Sequence, residues 1–589
     1  MVVCSNSQEA GKGRRMTIEP ASAEHPTSER RRGGGAVAHL VLALVALVLI
    51  LASLYAVRTL SLFVSPMLFL AAIFLEVVFI AVLVYALLRA LTKPSAMLRS
   101  LAASAWTGLE SNEYVVRFRT SRSPWVRWLR DRFRVDRPSG IWLTATVVVA
   151  AIPFGNFLSL AVHVATHGPL TQVDQRIANL MPLVRTPGET SFFAAATMFA
   201  NVQTLVLATV LAVVLLWWKR RRFLAGAVVA VVVADEVLYS VVKVIVHRAR
   251  PDAALALLID TSPSFPSGHT MRATLAYGII AYLLFKAFKS TGAKAATVAC
   301  YLLAVLLVAM SRVYLGVHWV TDVWGSMLLG SAMLAAAVGT LEIAARFPVI
   351  RGRRRPVAPG RLLAVVPAAA VVFAVISAPL LIQPQARAAP LHSQPLRSLD
   401  ASSLARLPVY SETLTGDTME PASFIFVGTQ DQLVHAFESR GWDEADRSTL
   451  ANTLRAFAVG FQGGQYPTAP VTPSFMASEP ETIAFQKATA SNTLRQRHHI
   501  RIWRSGYTAP DGRPVWEATA SFDDGIEFAG AAKIPTHHID PNIDAERSFI
   551  IGSLGYPDHL IPFTHPQMGH NGSGDEFFTD GRAELVTLQ

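Results

Sequence analysis

Nine apolar stretches of about 20 residues dominate the first two-thirds of the chain. They lie near residues 37–57, 62–90, 141–165, 196–218, 223–246, 271–288, 295–314, 322–344 and 362–383. A helix needs roughly 20 mostly apolar residues to cross the ~30 Å hydrocarbon layer of a bilayer. The sequence therefore predicts an all-α polytopic membrane region with about nine transmembrane helices.

The first apolar stretch directly follows Arg30, Arg31 and Arg32. Its length exceeds the core of a secretory signal peptide, which runs to about 7–15 residues. We therefore interpret it as an uncleaved membrane anchor, which leaves residues 1–36 as a basic cytoplasmic tail.

Basic residues are concentrated in every second loop. Lysines and arginines recur through 91–140, at 219–222, between 286 and 294, and at 351–355. The positive-inside rule places such loops in the cytoplasm. The N-terminus is then inside, and nine spans would put the C-terminal part outside a cell (inner) membrane.

The C-terminal part differs in charge and in pattern. The whole chain carries a net charge of +12, but acidic residues outnumber basic ones after residue 400. Beyond a proline-containing linker at 384–400, alternating runs at 423–427, 499–503 and 515–522 have the period of strands. With helices expected at 430–440 and 447–459, residues 401–589 are predicted to be a soluble α+β domain.

Composition excludes some other classes of protein. The chain is 52% hydrophobic and 16% charged, which is incompatible with a disordered protein. Its two cysteines are too few for a disulfide scaffold or a cysteine-based zinc module. The uneven charge also argues against a nucleic-acid binder.

Three polar clusters lie at the ends of predicted spans. Their sequences are KVIVHRARP at 243–251, PSGH at 266–269 and SRVYLGVHWVTD at 311–322. Together they supply three cations, two imidazoles, a carboxylate and a Ser-Gly turn: Lys243, Arg250, Arg312, His269, His318, Asp322, Ser267 and Gly268. Arginine forks and a glycine at a helix N-terminus suit a tetrahedral oxyanion.

His318 and Asp322 are spaced four residues apart. On a helix they share a face, so the carboxylate can hold one ring nitrogen and leave the other free as a nucleophile. His269, arriving from another helix, can protonate the leaving oxygen.

The three clusters resemble the pattern KxxxxxxRP, PSGH and SRxxxxxHxxxD of the type 2 phosphatidic acid phosphatase (PAP2) superfamily. The resemblance covers about 140–345 and implies a six-helix core with a metal-independent phosphohydrolase activity and no cofactor. It further implies that His318 forms a phosphohistidine, that Asp322 orients it and that His269 is the general acid. Lys243, Arg250, Ser267, Gly268 and Arg312 would bind the phosphate.

The resemblance also divides the chain. Residues 37–139 would hold two extra transmembrane helices and a basic loop, 140–345 the phosphatase core, and 346–400 a basic loop, the last transmembrane helix and the linker. Residues 410–560 resemble the LssY-like C-terminal domain, whose partner the sequence does not identify.

Three functions are compatible with this organisation. The leading one is a membrane lipid phosphatase acting on the external face on undecaprenyl pyrophosphate, phosphatidic acid or a phosphorylated glycolipid. A vanadate-dependent haloperoxidase uses the same residues, but the predicted spans argue against it. A receptor or scaffold acting through its C-terminal domain is the third.

Four further features are open to interpretation. Asp235 and Glu236 lie inside a predicted span, where they either support the cationic site or pair helices. His247 and Arg248 could add contacts to a lipid head group, but we favour a simple interfacial position for both. The C-terminal pairs His498-His499 and His537-His538 could hold a metal, but adjacent strand residues point to opposite faces, so we favour packing or hydrogen-bonding roles.

Overall fold

The computed structural model describes residues 38–53, 66–92, 96–258, 260–347, 393–493, 496–529, 534–572 and 574–589. In its described residues up to 347, all the regular secondary structure is helical. The helices are α1 (Ala38–Ser53), α2 (Pro66–Thr92), α3 (Ala96–Ser111), α4 (Glu113–Thr120), α5 (Pro124–Arg132), α6 (Ile141–Ala165), α7 (Leu170–Val184), α8 (Pro187–Met198), α9 (Val202–Trp218), α10 (Arg222–Val246), α11 (Gly268–Ala287), α12 (Thr291–Tyr314) and α13 (Val320–Arg346).

Four of the described helices are long and apolar enough to cross a bilayer: α2, α6, α12 and α13. The pair α8 and α9 would make a fifth span, bent by 40°. The chain is therefore a multi-pass membrane protein. Helices α10 and α11 coincide with two more predicted spans but carry charged residues along their lengths. The stretch at 362–383 lies outside the described residues.

The stretch predicted as one span at 196–218 is divided in the structure. Helix α8 ends at Met198, and α9 begins after Asn201, whose extended backbone starts a new helix. Residues up to Met198 belong to the separate helix α8, so the span expected near 196–218 corresponds to α9 and the end of α8 in a bent pair.

Helices α11, α12 and α13 pack together, and α13 also packs along α6. The C-terminal ends of α10 and α12 and the N-terminal ends of α11 and α13 lie at the same end of the bundle. The polar clusters at these four helix ends therefore meet there. Asp322 fixes the start of α13, since its carboxylate accepts the Trp319 N–H at 3.0 Å. This arrangement is what builds the site.

The second part of the chain is an α+β domain, as predicted. Its helices are α14 (Ala401–Leu404), α15 (Gln430–Glu438), α16 (Leu450–Gln462) and α17 (Ile543–Leu554). Its strands are β1 (Gln394–Pro395), β2 (Tyr410–Glu412), β3 (Thr418–Pro421), β4 (Phe424–Val427), β5 (Asp443–Glu444), β6 (Phe475–Met476), β7 (Glu479–Pro480), β8 (Ile483–Thr493), β9 (Gln496–Thr508), β10 (Pro514–Ala529), β11 (Ile534–Ile539), β12 (Leu560–Pro562), β13 (Gln567–His570), β14 (Glu576–Thr579) and β15 (Arg582–Thr587).

Most strands form one nine-stranded sheet. Its order is β12-β15-β4-β10-β9-β8-β5, with β11 beside β10 and β1 beside β9. The β4–β15 and β1–β9 pairs are parallel, and the other pairs are antiparallel. A four-stranded sheet, β3-β2-β6-β7, and the hairpin β13-β14 complete the domain.

An aromatic core fills one face of the large sheet. Phe437 of α15 stacks on Phe485 of β8 at 4.6 Å and meets Trp442 edge-on at 5.6 Å. The domain also begins earlier than the predicted linker implies. β1 pairs with β9, and Leu396 is buried in an apolar cluster, so residues from 393 onward are part of the folded domain.

Candidate active site

His318 and Asp322 form the centre of the site. His318 Nδ1 lies 3.3 Å from an Asp322 carboxylate oxygen, and the two residues are 3% and 0% exposed. On the other side of the ring, His318 Nε2 lies 3.2 Å from a guanidinium nitrogen of Arg250. Because arginine can only donate, Nε2 must be the acceptor, and the ring proton is on Nδ1, facing the carboxylate. Asp322 therefore holds the tautomer in which Nε2 is unprotonated and accepts from Arg250.

The Asp322 carboxylate is saturated with donors. One oxygen accepts Arg248 at 2.8 Å, and the other accepts the Ser264 hydroxyl together with the Trp319 N–H. A carboxylate with several donors is fixed in orientation, so the imidazole that it holds is fixed as well.

Lys243, in the last turn of α10, and Arg250, on the loop after it, both contact Ser262 of that loop. The Arg250 guanidinium donates to the Ser262 carbonyl at 2.7 Å and pairs with Asp260 at 2.7 Å. The Lys243 ammonium donates to the Ser262 hydroxyl at 2.7 Å and lies 4.7 Å from the Tyr239 ring centre. Both cations are thus held by the loop and directed towards the same region as His318.

Arg312, near the end of α12, is 4% exposed. One of its terminal nitrogens donates to Thr197 at 2.9 Å, while its Nε has no partner among the described residues. An unpaired donor on a buried guanidinium is costly, and an anion in the site would satisfy it.

Ser267, Gly268 and His269 form the start of α11. Ser267 is fully buried and precedes the first helical residue, so the free N–H groups of this helix end lie in the site. A Cβ at Gly268 would come within 3.0 Å of the Tyr239 ring and of Arg272. The close packing explains the glycine. His269 follows in the first turn and is half-buried.

Burial lowers the pKa of His318 well below its usual value, and the charges of Arg250 and Arg312 lower it further. The imidazole is therefore neutral at physiological pH, as a nucleophile must be. Burial acts to raise the pKa of Asp260, but the charge of Arg250 and hydrogen bonds from Ser262 outweigh it, and that pKa is lowered.

The sequence did not reveal a second layer of polar residues behind Asp322. Arg248 donates to Asp322, to Thr321 and to Asp174, and its guanidinium lies 5.2 Å from the Trp319 ring centre. The expectation that Arg248 is an interfacial residue is therefore wrong. The role of Arg248 could have been inferred from its position two residues before Arg250. Asp174 lies on an amphipathic helix and belongs to no recognisable motif.

Glu236 pairs with another helix. Its carboxylate binds the Arg272 guanidinium of α11, with the longer of the two contacts at 2.8 Å. The interpretation that Glu236 pairs helices is thus supported. Asp235 is buried, and one of its oxygens has no partner among the described residues.

The histidines of the C-terminal domain have separate hydrogen-bond or ion-pair partners. His498 Nδ1 lies 2.8 Å from Glu546, and its ring stacks on Phe549 at 3.8 Å. His499 Nε2 lies 2.8 Å from the Ser521 hydroxyl on the opposite face of the sheet. His538 pairs with Asp524. In the described part of the chain, no three His, Cys, Asp or Glu side chains are grouped as metal ligands.

Two family models match the chain. Residues 224–344 match the PAP2 superfamily, and residues 404–583 match the LssY C-terminus. Phosphatidylglycerophosphatase B of Bacillus subtilis (strain 168) is 44% identical over 115 residues, which make up 19% of this chain and 56% of that protein. The chain thus aligns with little more than half the length of this curated relative.

Among solved structures, a transmembrane PAP2-type phosphatidylglycerolphosphate phosphatase from Bacillus subtilis is 32% identical. The match covers 34% of this chain and 98% of that one, with a TM-score of 0.32. The family matches confirm both resemblances inferred from the motifs. The chain therefore combines a membrane-embedded PAP2-superfamily region with an LssY C-terminal region.

Proposed function

We propose that this protein is an integral membrane phosphatase that hydrolyses a phosphomonoester or pyrophosphate of a lipid through a phosphohistidine at His318. The observation that carries the proposal is the fixed tautomer of His318. Nδ1 faces Asp322, while the unprotonated Nε2 lies beside Arg250, where a bound phosphate would take over the guanidinium as its cationic neighbour. Phosphatidic acid and undecaprenyl pyrophosphate are candidate substrates. Phosphatidylglycerophosphate joins them because of the name of the Bacillus subtilis relative.

The proposed reaction has two steps. His318 Nε2 attacks the phosphorus, the bond from phosphorus to the lipid oxygen breaks, and His269 gives its proton to that leaving oxygen. In the second step a water molecule attacks the phosphohistidine, His269 takes a proton from it, and inorganic phosphate leaves. His318 is thereby restored to its starting form.

Charge neutralisation would come from the protein itself. Phosphoryl transfer is catalysed mainly by positioning and by stabilisation of charge on the equatorial oxygens. Lys243, Arg250 and the unpaired Nε of Arg312 are suited to this role, and the Ser267 hydroxyl and the Gly268 N–H add to it. We propose that no metal ion is required, so activity should persist in excess EDTA.

We also propose that the site faces the outside of the cell membrane. The alternation of basic loops supports this orientation. Cysteine-accessibility labelling of intact cells tests it, with the natural Cys4 and Cys300 both replaced and single cysteines introduced at exposed positions of the C-terminal domain such as Ser402. Labelling by an impermeant reagent is the expected result, and labelling only after permeabilisation would reverse the orientation.

The decisive test of the function uses purified full-length protein and its His318→Ala variant. Release of phosphate is measured from phosphatidic acid, phosphatidylglycerophosphate and undecaprenyl pyrophosphate in mixed micelles. We expect the native protein to hydrolyse at least one of them and the variant to be inactive at equal folding. Equal activity of the two proteins would refute the proposal.

A further inference from the structure

Helix α7 connects the two parts of the chain. On one side, Arg176 is 2% exposed and forms an ion pair with Glu412 of the C-terminal domain. One turn later, Asn179 donates to the Ser478 carbonyl at 3.0 Å and to the Glu479 carboxylate at 3.0 Å. The helix is therefore held by β2 and by the β6–β7 hairpin.

The same hairpin reaches the wall of the proposed site. Phe475 is fully buried in a cluster with Leu180 of α7 and with Leu315 and Val317. Val317 directly precedes His318, and its carbonyl accepts a hydrogen bond from Arg250. An aromatic side chain of the C-terminal domain thus supports the segment that carries the candidate nucleophile.

The opposite side of α7 faces the site. Asp174 is 2% exposed and accepts Arg248 at 2.8 Å and the Thr321 N–H at 2.9 Å. Arg248 in turn donates to Asp322. Residues two apart on an α-helix point about 200° away from each other, so Asp174 and Arg176 hold the helix from opposite sides.

We propose that the LssY C-terminal region is a positioning element of the phosphatase site and acts through α7. Glu412 and the β6–β7 hairpin fix α7, Asp174 then fixes Arg248, and Arg248 fixes the carboxylate that orients His318. Asp174, Arg248 and Glu412 are positioning residues, because each acts through its neighbour. This inference depends on the proposed phosphatase function.

The physical basis is the sensitivity of the reaction to geometry. A misplacement of about 1 Å at a reacting group can cost on the order of a hundredfold in rate. Removing the charge of Glu412 leaves a buried guanidinium without its counter-ion, so α7 loses its fixed position. The phosphate ligands do not contact Glu412, so binding of substrate should change much less than turnover.

A double-mutant cycle tests the coupling. Full-length protein and the variants Glu412→Gln, Asp174→Asn and the double variant are assayed on phosphatidic acid in mixed micelles. We expect Asp174→Asn to lower kcat by about a hundredfold and Glu412→Gln by about tenfold, with KM within about twofold. The double variant should be no slower than Asp174→Asn alone. In Asp174→Asn the contact between α7 and Arg248 is already lost, so loosening α7 at Glu412 has no further effect on His318. The proposal would be overturned if the effects of the two single substitutions on log kcat were additive in the double variant. An unchanged kcat in Glu412→Gln would overturn it as well.

Two controls separate positioning from folding. Asp580→Asn removes one of the two carboxylates that pair with the buried Arg547 inside the C-terminal domain, away from α7, and should leave kcat unchanged. A kcat loss there equal to that of Glu412→Gln would overturn the proposal. The charge exchange Arg176→Glu with Glu412→Arg should recover most of the activity that Arg176→Glu loses, and failure to recover would count against it. If native protein and His318→Ala release phosphate equally, it is the phosphatase function itself that fails.

Discussion

His318 and Arg250 are joined by a contact of 3.2 Å between the imidazole Nε2 and a guanidinium nitrogen. A cation beside Nε2 keeps that atom unprotonated and lies where, in the proposed reaction, the negative oxygens of a substrate would bind. The contact would therefore serve both the proposed nucleophile and the phosphate.

The first prediction concerns pH. Because burial and the charges of Arg250 and Arg312 lower the pKa of His318, the neutral nucleophile persists below the usual histidine pKa of about 6.5. The acid limb of kcat/KM for lipid phosphate hydrolysis should therefore fall below pH 6.5. A limb at or above that value would contradict the electrostatic assignment.

The lowered pKa of His318 also makes the stability of the folded protein depend on pH. Between the lowered pKa and about 6.5, the unfolded chain binds more protons at this histidine than the folded chain does. His318 should therefore make the free energy of unfolding fall as the pH decreases through that window. Comparison of native protein with His318→Gln isolates this contribution, and equal slopes would argue against it.

Asp322→Asn is the second prediction. The amide cannot accept as the carboxylate does, so the imidazole loses its fixed tautomer while the volume is unchanged. We expect kcat to decrease by on the order of a thousandfold or more, as for the aspartate of an oriented histidine in other enzymes. Thermal unfolding checks that the variant folds, and a kcat within tenfold of native would exclude the orienting role.

The third prediction concerns Arg312. Its Nε has no partner among the described residues, and lysine cannot supply the planar fork that a tetrahedral anion would use. Arg312→Lys should raise the inhibition constant of orthovanadate by about tenfold. Arg122→Lys on the exposed loop is the matched control and should leave that constant unchanged. Equal constants for native protein and Arg312→Lys would remove Arg312 from the anion site.

The fourth prediction concerns Glu517, which is buried in β10. Burial raises its pKa from 4.5 to about 8, and one of its oxygens has no partner among the described residues. The folded domain keeps a proton that the unfolded chain has released, so stability is lost as pH rises from about 4.5 through 8. Glu517→Gln cannot ionise and should be more stable than native protein at pH 9, measured by tryptophan fluorescence during unfolding. The exposed Glu438→Gln should show no such gain, and a native-like loss in Glu517→Gln would contradict the prediction.

Much of the site could be predicted because its chemistry is concentrated in short motifs. The four-residue spacing of His318 and Asp322 predicted that the two side chains meet, although the structure places His318 two residues before α13 begins and not on the helix itself. Long apolar runs likewise revealed the helices, and alternation revealed β4, β9 and β10. The signal in each case lies within a few neighbouring residues.

Other features could not be predicted because they depend on contacts across long stretches of chain. Asp174 meets Arg248 over 74 residues, and Arg176 meets Glu412 over 236. Nothing near either residue marks its partner. The bend between α8 and α9 was not predicted for a different reason: apolar residues continue on both sides of Asn201.

Helix α10 exposes two apolar side chains next to Lys243. Val244 and Ile245, which directly follow this lysine, are each 75% exposed. In a bilayer, apolar side chains this exposed would contact acyl chains and not water, so lipid itself would form the surroundings of this corner of the proposed site. In solution a detergent replaces that lipid. The measured turnover should therefore depend on detergent chain length, and reconstitution in nanodiscs becomes the proper reference state for comparing variants.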